Sequence, residues 1–104
     1  MQRDELLRRV KSALEEAFPK RLRGVILYGS EARGESDPDS DIDLLVLLEG
    51  QADFWADLRM CIHALFPLSL DADRPIDAKP VDVREYEAQV WPLYRSAKEE
   101  GILA

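Results

Sequence analysis

The chain has 104 residues, of which 46% are hydrophobic and 34% are charged, a balance typical of a folded domain rather than of a disordered segment. Its net charge of −7 argues against a bare nucleic-acid backbone as a partner. Cys61 is the only cysteine, which excludes an intramolecular disulfide and a cysteine-built metal cluster. Since no apolar stretch approaches the ~18 residues of a membrane span and the N-terminus is too polar for a signal peptide, we expect a cytoplasmic protein.

Hydrophobic periodicity predicts alternating helices and strands. In chain order, the predicted elements are a helix over 3–18, strands over 24–29 and 42–48, a helix over 52–65, a short strand around 81–83 and a helix over 86–100. Pro67 is expected to end the second helix and Pro92 to divide or kink the last. Residues 67–80 are expected to form an irregular loop that is either mobile or ligand-facing. This order predicts an α+β (mixed α/β) fold, a small mixed β-sheet flanked by helices, in which residues 1–104 form one domain without a separate substrate-binding domain.

The dipeptide Gly29-Ser30 directly follows the first predicted strand. A glycine at this point lets the backbone turn sharply and come close to a ligand. A serine can cap the turn that follows, or offer its hydroxyl and amide to a phosphate. Because a plain strand–turn–helix cap explains the same two residues, the dipeptide needs a second observation before it indicates a binding site.

Two aspartates in the next predicted strand supply that observation. Asp41 and Asp43 are two residues apart, so their side chains point to the same side of a strand. An unpaired carboxylate inside an apolar strand is costly, and two close negative charges require a cation or a shared proton. Carboxylate oxygens are the ligands that Mg²⁺ and Mn²⁺ prefer. The alternative is that Asp41 caps a turn and Asp43 pairs with an arginine such as Arg33.

A third acid is predicted on the strand around 81–83. Asp82 lies in the string PVDV, so it too is an acid in a strand context. If this strand lies beside residues 42–48, Asp82 reaches the same edge, and three carboxylates can hold two cations ~3.5–4 Å apart, as in phosphoryl transfer. Asp77 is the rival for the third position, although its predicted loop is less constrained.

Other chemistries fit the sequence less well. The string DPDSDIDLLVLL imitates a Ca²⁺ loop, but neither possible register has glycine at the sixth position and glutamate at the twelfth. Asp37 and Asp39 are therefore expected to be turn residues around Pro38. No Walker-type phosphate loop occurs, and the lone His63 lies within a predicted helix rather than in a nucleophilic triad.

The string GSEARGESDPDSDIDLLV resembles the signature of the nucleotidyltransferase superfamily that includes DNA polymerase beta. The matching positions are Gly29, Ser30, Ala32, Arg33, Gly34, Ser40, Asp41, Asp43 and Leu44. The short chain is similar to the minimal nucleotidyltransferases of bacteria and archaea, and the closing YRSAKEEGILA is similar to their C-terminal helix and tail. The resemblance therefore implies a nucleotidyltransferase-like fold.

The same resemblance implies roles for individual residues. Gly29 and Ser30 would bind the β- and γ-phosphates of ATP or another nucleoside triphosphate. The metal ligands would be Asp41, Asp43 and Asp82, holding two Mg²⁺ ions or Mn²⁺ in their place, and Asp82 would also help to activate the acceptor hydroxyl. Arg33 would belong to the nucleotide-binding residues, either by steadying the phosphate loop or by pairing with an acid.

The resemblance also implies a partner. Minimal members commonly work with a helical HEPN-type protein and act as its antitoxin, by transferring AMP to it or by occluding it without catalysis. Other possible acceptors are RNA and small antibiotic-like molecules, but the acidic charge disfavours RNA without a basic partner chain. The residues that could form spare apolar surface are Trp55, Trp91, Tyr94, Ile102 and Leu103. We expect at least one of the two tryptophans to lie in the core.

Overall fold

The computed structural model describes residues 1–35, 40–50 and 53–104. In these ranges the elements are α1 (Arg3–Ala17), β1 (Leu22–Tyr28), α2 (Gly29–Ala32), β2 (Ile42–Leu48), α3 (Phe54–Ala72), β3 (Ile76–Asp82), α4 (Val83–Glu87), α5 (Pro92–Glu100) and β4 (Ile102–Leu103). The turn expected at Asp37, Pro38 and Asp39 lies outside the described residues.

The four strands form one mixed sheet in the order β3-β2-β1-β4. β1 pairs antiparallel with β2 and with β4, whereas β2 and β3 run parallel. A parallel pair requires a crossover connection, and α3 provides it. The predicted α+β class, with a small mixed sheet flanked by helices, is confirmed.

The central strand β2 is covered on both faces, which explains its nearly unbroken apolar sequence. Its even-numbered residues belong to a core shared with α1 and α3, to which Val10, Leu14 and Leu65 contribute. Leu45 and Leu47 belong to a second core on the opposite face, shared with Tyr86 of α4, and Tyr94 and Ala97 of α5. The second core also contains Val81 of β3 and is the smaller of the two.

The expectation that Pro67 ends a helix is wrong. α3 continues to Ala72 and ends where Asp73 adopts a left-handed conformation with φ 53°. Proline costs a helix one backbone hydrogen bond, but Leu65 and Leu68 on either side of it are buried in the core. Their burial favours the continued helix over the loop predicted for residues 67–80.

The third strand begins earlier than its sequence suggests. β3 starts at Ile76 and ends at Asp82, so the predicted ligand-facing loop contributes most of this strand. Proline is tolerated in it because β3 is an edge strand of the sheet. Pro92 does divide the C-terminal helical region, since it is the first residue of α5.

Both tryptophans lie on the surface, which corrects the expectation that one of them is in the core. Trp55 is 66% exposed and Trp91 is 58% exposed, whereas Tyr94 is buried. In the part of the chain that is described, no helix is both long and apolar enough to cross a membrane.

Candidate active site

Three aspartates lie at the same end of the sheet. Asp41 directly precedes β2, and Asp43 is the second residue of that strand. In the parallel pair, the register partner of Asp43 is Asp77 of β3. Asp43 is half-buried, whereas Asp41 and Asp77 are exposed. The alternation of the strand predicted that Asp41 and Asp43 face one point, and the structure places Asp77 beside them.

Asp82 lies at the other end of β3, so the expectation that it joins these aspartates is wrong. Its register partner is Leu48. Since parallel strands advance in step, the five residues from Asp77 to Asp82 place it about 16 Å away along the strand. Its carboxylate instead accepts a hydrogen bond from the Arg84 backbone N–H at 2.8 Å and caps α4.

The electrostatics of Asp43 reflect its crowded position. Burial is the largest cause that raises the pKa of its carboxyl, followed by the negative charges of Asp77 and Asp41, while Lys79 acts in the opposite direction. Each of the two neighbouring carboxylates therefore makes the ionised form of Asp43 less favourable. A bound cation would reverse this effect.

Gly29 brings the turn after β1 into contact with Asp43. It has a φ of +76°, in the left-handed region that favours glycine. A Cβ atom on Gly29 would lie 2.6 Å from Oδ2 of Asp43, closer than such atoms approach in proteins. Ser30 follows as the second residue of the short helix α2. The predicted phosphate-binding turn and the predicted metal-binding strand are thus adjacent.

Tyr28 belongs to the candidate site, although the sequence pattern did not indicate it. It is the antiparallel register partner of Asp43 and is half-buried. Burial, reinforced by the charges of Asp43 and Asp77, raises the pKa of its phenol to about 12, so the hydroxyl stays protonated at neutral pH. The pairing of the end of β1 with the start of β2 could have revealed it, because cross-strand partners share a face.

Arg33 lies at the end of α2 and pairs with acids outside the aspartate group. Its Nε donates to Glu35 Oε2 at 3.1 Å, and its Nη1 lies 3.8 Å from Glu100 Oε2. Among the described residues it forms no ion pair with Asp43, so the alternative pairing of Asp43 with this particular arginine has no support. Its side chain is 43% exposed, and its predicted role in nucleotide binding remains a prediction.

The site offers its aspartate oxygens as possible ligands to a metal ion. Within the described ranges, no three carboxylate, imidazole or thiolate side chains are gathered closely enough to hold a metal as they stand. Asp41, Asp43 and Asp77 nevertheless offer only oxygen ligands, and the last of these raises the pKa of Asp43 by repulsion. Oxygen donors with uncompensated negative charge fit a hard divalent cation such as Mg²⁺ or Mn²⁺.

Comparison with protein families gives one match across nearly the whole chain. The family model for the nucleotidyltransferase domain matches residues 7–104. The chain belongs to the nucleotidyltransferase domain family. This confirms the resemblance on which the minimal-nucleotidyltransferase assignment rests, and it confirms that the protein is a nucleotidyltransferase enzyme.

Two relatives of this nucleotidyltransferase come from Methanocaldococcus jannaschii, and both are named as inferred protein adenylyltransferases. One is 26% identical over 101 residues, which cover 97% of this chain and 96% of the relative. The other is 38% identical over 45 residues, 43% of this chain and 46% of the relative.

Two solved structures share the nucleotidyltransferase fold of this chain. One is a toxin-antitoxin crystal structure with AMP-PNP, with a TM-score of 0.67 and 22% identity, covering 92% of this chain and 69% of that chain. The other is an inferred nucleotidyltransferase from Sulfolobus solfataricus, with a TM-score of 0.60 and 23% identity, covering 96% of this chain and 82% of that chain.

Proposed function

We propose that this nucleotidyltransferase moves AMP from ATP to a hydroxyl of a partner protein in a Mg²⁺-dependent reaction. The observation that carries the proposal is the contact between Gly29 and Asp43. It joins the turn at Gly29-Ser30, called the phosphate-type turn below, to the carboxylate-bearing strand β2. The names of the archaeal relatives support adenylyl transfer to a protein. The structural neighbour with AMP-PNP supports an adenine nucleotide as donor.

The aspartates are proposed to hold the metal. Asp41, Asp43 and Asp77 would bind Mg²⁺, with Asp77 in the position first predicted for Asp82. When bound, the cation neutralises charge on the triphosphate and on the carboxylates. Gly29 lets the backbone approach the phosphates, and Ser30 offers its amide and hydroxyl to them. In this arrangement the protein contributes positioning and electrostatic stabilisation.

The proposed reaction is an in-line displacement. The acceptor oxygen forms a bond to the α-phosphorus while the bond from that phosphorus to the β-phosphate oxygen breaks, so pyrophosphate leaves. The hydroxyl proton passes to a carboxylate, for which Asp77 is suited because it is exposed on an edge strand. Tyr28 keeps its proton and can donate a hydrogen bond at the site, since its pKa is about 12.

We also propose that the acceptor is a HEPN-type helical protein for which this chain is the antitoxin. The toxin-antitoxin neighbour supports the pairing. One side of α3 carries exposed apolar residues at helical spacing, which are typical of a protein contact: Trp55, Ile62, Phe66 and Leu70. The same surface supports equally well a second candidate function, in which the chain binds and occludes its partner without catalysis.

Labelling with α-³²P ATP and Mg²⁺ tests the proposal. The purified chain and an Asp41→Asn/Asp43→Asn double variant are incubated separately with lysate of the source organism, and with purified RNA. Asp82→Asn is the matched control, because it also replaces a strand aspartate and retains a residue able to cap α4. We expect a labelled protein band with the unaltered chain and with Asp82→Asn, and none with the double variant.

Each other outcome selects a different function. Label in RNA alone would replace the protein acceptor with a nucleic-acid one. If no label is transferred and the double variant still neutralises the partner, the chain is an occluding subunit without catalysis. Equal labelling by the double variant would refute the proposed metal site.

A further inference from the structure

Arg74 lies in the short connection between α3 and β3, and its guanidinium contacts two other segments of the chain. Nη2 donates to Glu31 Oε2 at 2.9 Å and to Ser40 Oγ at 3.3 Å, while Nε donates to the Ser40 carbonyl at 3.0 Å. The side chains of Arg74 and Glu31 are only 16% and 13% exposed. Charge-assisted hydrogen bonds with so little solvent access are stronger than those of an exposed pair.

Each segment that Arg74 joins carries a part of the site. Glu31 directly follows Ser30 in the phosphate-type turn, and Ser40 directly precedes Asp41. Arg74 itself lies three residues before Asp77, in the connection that leads into β3. A backbone bond from the Ile42 N–H to the Pro75 carbonyl, 2.9 Å long, reinforces the link between the second and third segments.

The planar guanidinium is the group that this arrangement requires. It presents several donors in a fixed geometry, so one side chain can bond to Glu31 and to the Ser40 backbone together. A lysine ammonium has the same charge but lacks that rigid fork. The exposed ion pair between Arg9 and Asp71 differs, because its side chains are 42% and 55% exposed and such pairs contribute little.

We propose that Arg74 is a positioning residue that holds the phosphate-type turn and the two aspartate-bearing strands in their mutual arrangement, acting through Glu31 and Ser40. It contacts none of the proposed metal ligands in its hydrogen bonds and ion pairs among the described residues. The inference rests on the proposed function for the identity of the site. The joining of the three segments rests on the hydrogen bonds alone.

Three variants test the inference. Arg74→Lys keeps the charge and loses the fork, and Glu31→Gln keeps an acceptor oxygen and loses the charge. Arg9→Lys is the matched control, an arginine in an exposed ion pair outside the site. Binding of Mg²⁺ with AMP-PNP is measured by calorimetry at a temperature where circular dichroism shows every variant fully folded.

We expect Arg74→Lys to weaken Mg²⁺–AMP-PNP binding by about 10- to 100-fold, the usual effect of removing a group that orients metal ligands. Glu31→Gln should weaken it less, and Arg9→Lys should leave it unchanged. In transfer assays, Arg74→Lys should lower kcat as well as raise KM, because misplaced reacting groups slow the chemical step. A lower unfolding midpoint with normal binding and kcat would reduce Arg74 to a stability role and overturn the proposal.

Amide hydrogen exchange in the ligand-free protein provides a readout that is independent of activity. The Ile42 N–H donates to Pro75, and the Glu35 N–H donates to the Ser30 carbonyl at 2.9 Å, so they report on the strand and on the turn. Arg74→Lys should accelerate exchange at both amides, and Arg9→Lys at neither. If the unaltered chain fails to bind Mg²⁺–AMP-PNP, the proposed function fails while exchange still tests Arg74; unchanged rates at both amides would refute its role.

Discussion

Asp43 of β2 and Asp77 of β3 are direct register partners in a parallel strand pair, and the charge of Asp77 is the largest cause, after burial, of the raised pKa of Asp43. Asp82 of the same strand pairs with Leu48 and caps α4. The two aspartates of β3 therefore lie in different environments, one beside Asp43 and one at the start of a helix.

Replacing Asp77 should abolish transfer, and replacing Asp82 should not. Asp77→Asn removes a charged oxygen ligand from the proposed metal site, so we expect the rate of AMP transfer to fall by about 100-fold or more. Asp82→Asn keeps an acceptor for the Arg84 N–H and should retain nearly full activity. The rates are compared at saturating Mg²⁺ and ATP. The opposite pattern would restore Asp82 as the third acid.

Gly29→Ala should damage the site more than the fold. The new Cβ would lie 2.6 Å from Oδ2 of Asp43, so that carboxylate or the turn must move. Gly34→Ala is the matched control: it has a similar φ of +71°, but nothing within 4 Å of the added atom. Both variants should lose about 1 kcal/mol of unfolding free energy because alanine disfavours positive φ.

Only Gly29→Ala is expected to weaken Mg²⁺–ATP binding and to lower transfer. The two variants are compared by denaturant unfolding and by calorimetry with Mg²⁺–AMP-PNP. Equal loss of binding in both would show that backbone strain, rather than the contact with Asp43, determines the effect.

Asp43→Asn should stabilise the metal-free protein while removing its activity. A carboxyl whose pKa is raised on folding favours the folded state below its unfolded pKa, and this contribution is lost as pH rises through the folded pKa. Near pH 8 the ionised Asp43 therefore adds repulsion with Asp77 and Asp41, which the positive charge of Lys79 offsets only in part. Like charges on neighbouring strands cost roughly 0.2–1 kcal/mol, reduced further by salt.

The measurement is the unfolding midpoint at pH 8 with a chelator, at low and at high salt. Asp43→Asn should raise the midpoint by roughly 1–6 °C at low salt, and the difference should shrink at high salt. Added Mg²⁺ should stabilise the unaltered chain and not the variant, because a ligand stabilises only the state that binds it. A variant with a lower midpoint in every condition would contradict the electrostatic account.

Alkaline pH should destabilise the protein in part through Tyr28. Its pKa rises from 10.0 to about 12 on folding, so the unfolded chain loses this proton first. Stability from this group is complete below the unfolded pKa and disappears as pH rises towards the folded value. Tyr28→Phe should therefore reduce the fall in unfolding free energy between about pH 10 and pH 12.

Two other tyrosines have raised pKa values for the same main reason, burial, so part of the decline should remain in Tyr28→Phe. Tyr94→Phe is the matched control for burial, because its second cause is Glu85 rather than the site aspartates. Denaturant unfolding at several alkaline pH values measures the slopes. A slope for Tyr28→Phe equal to that of the unaltered chain would show that the phenol does not contribute.

The local sequence pattern was sufficient to predict four residues of the candidate site, which are Asp41, Asp43, Gly29 and Ser30. The prediction that Asp41 and Asp43 face one point required only the alternation of side chains along a strand, a period of the backbone that holds in any tertiary context. Gly29 and Ser30 could be predicted as a phosphate-binding turn because they directly follow an apolar strand. Strand β2 was predicted with its observed bounds because its apolar run reflects burial on both faces.

The tertiary structure determines that Asp77 and Tyr28 lie beside Asp43. Which residue of β3 lies opposite Asp43 depends on strand order, strand direction and register, all of which are long-range pairings that a sequence window does not contain. β3 can begin only after α3 has ended, and α3 continues past Pro67 because core burial of Leu68 outweighs a lost hydrogen bond. Sequence alone thus predicted the chemistry of the candidate site and two of its acids, and the packing of the sheet placed Asp77 beside them.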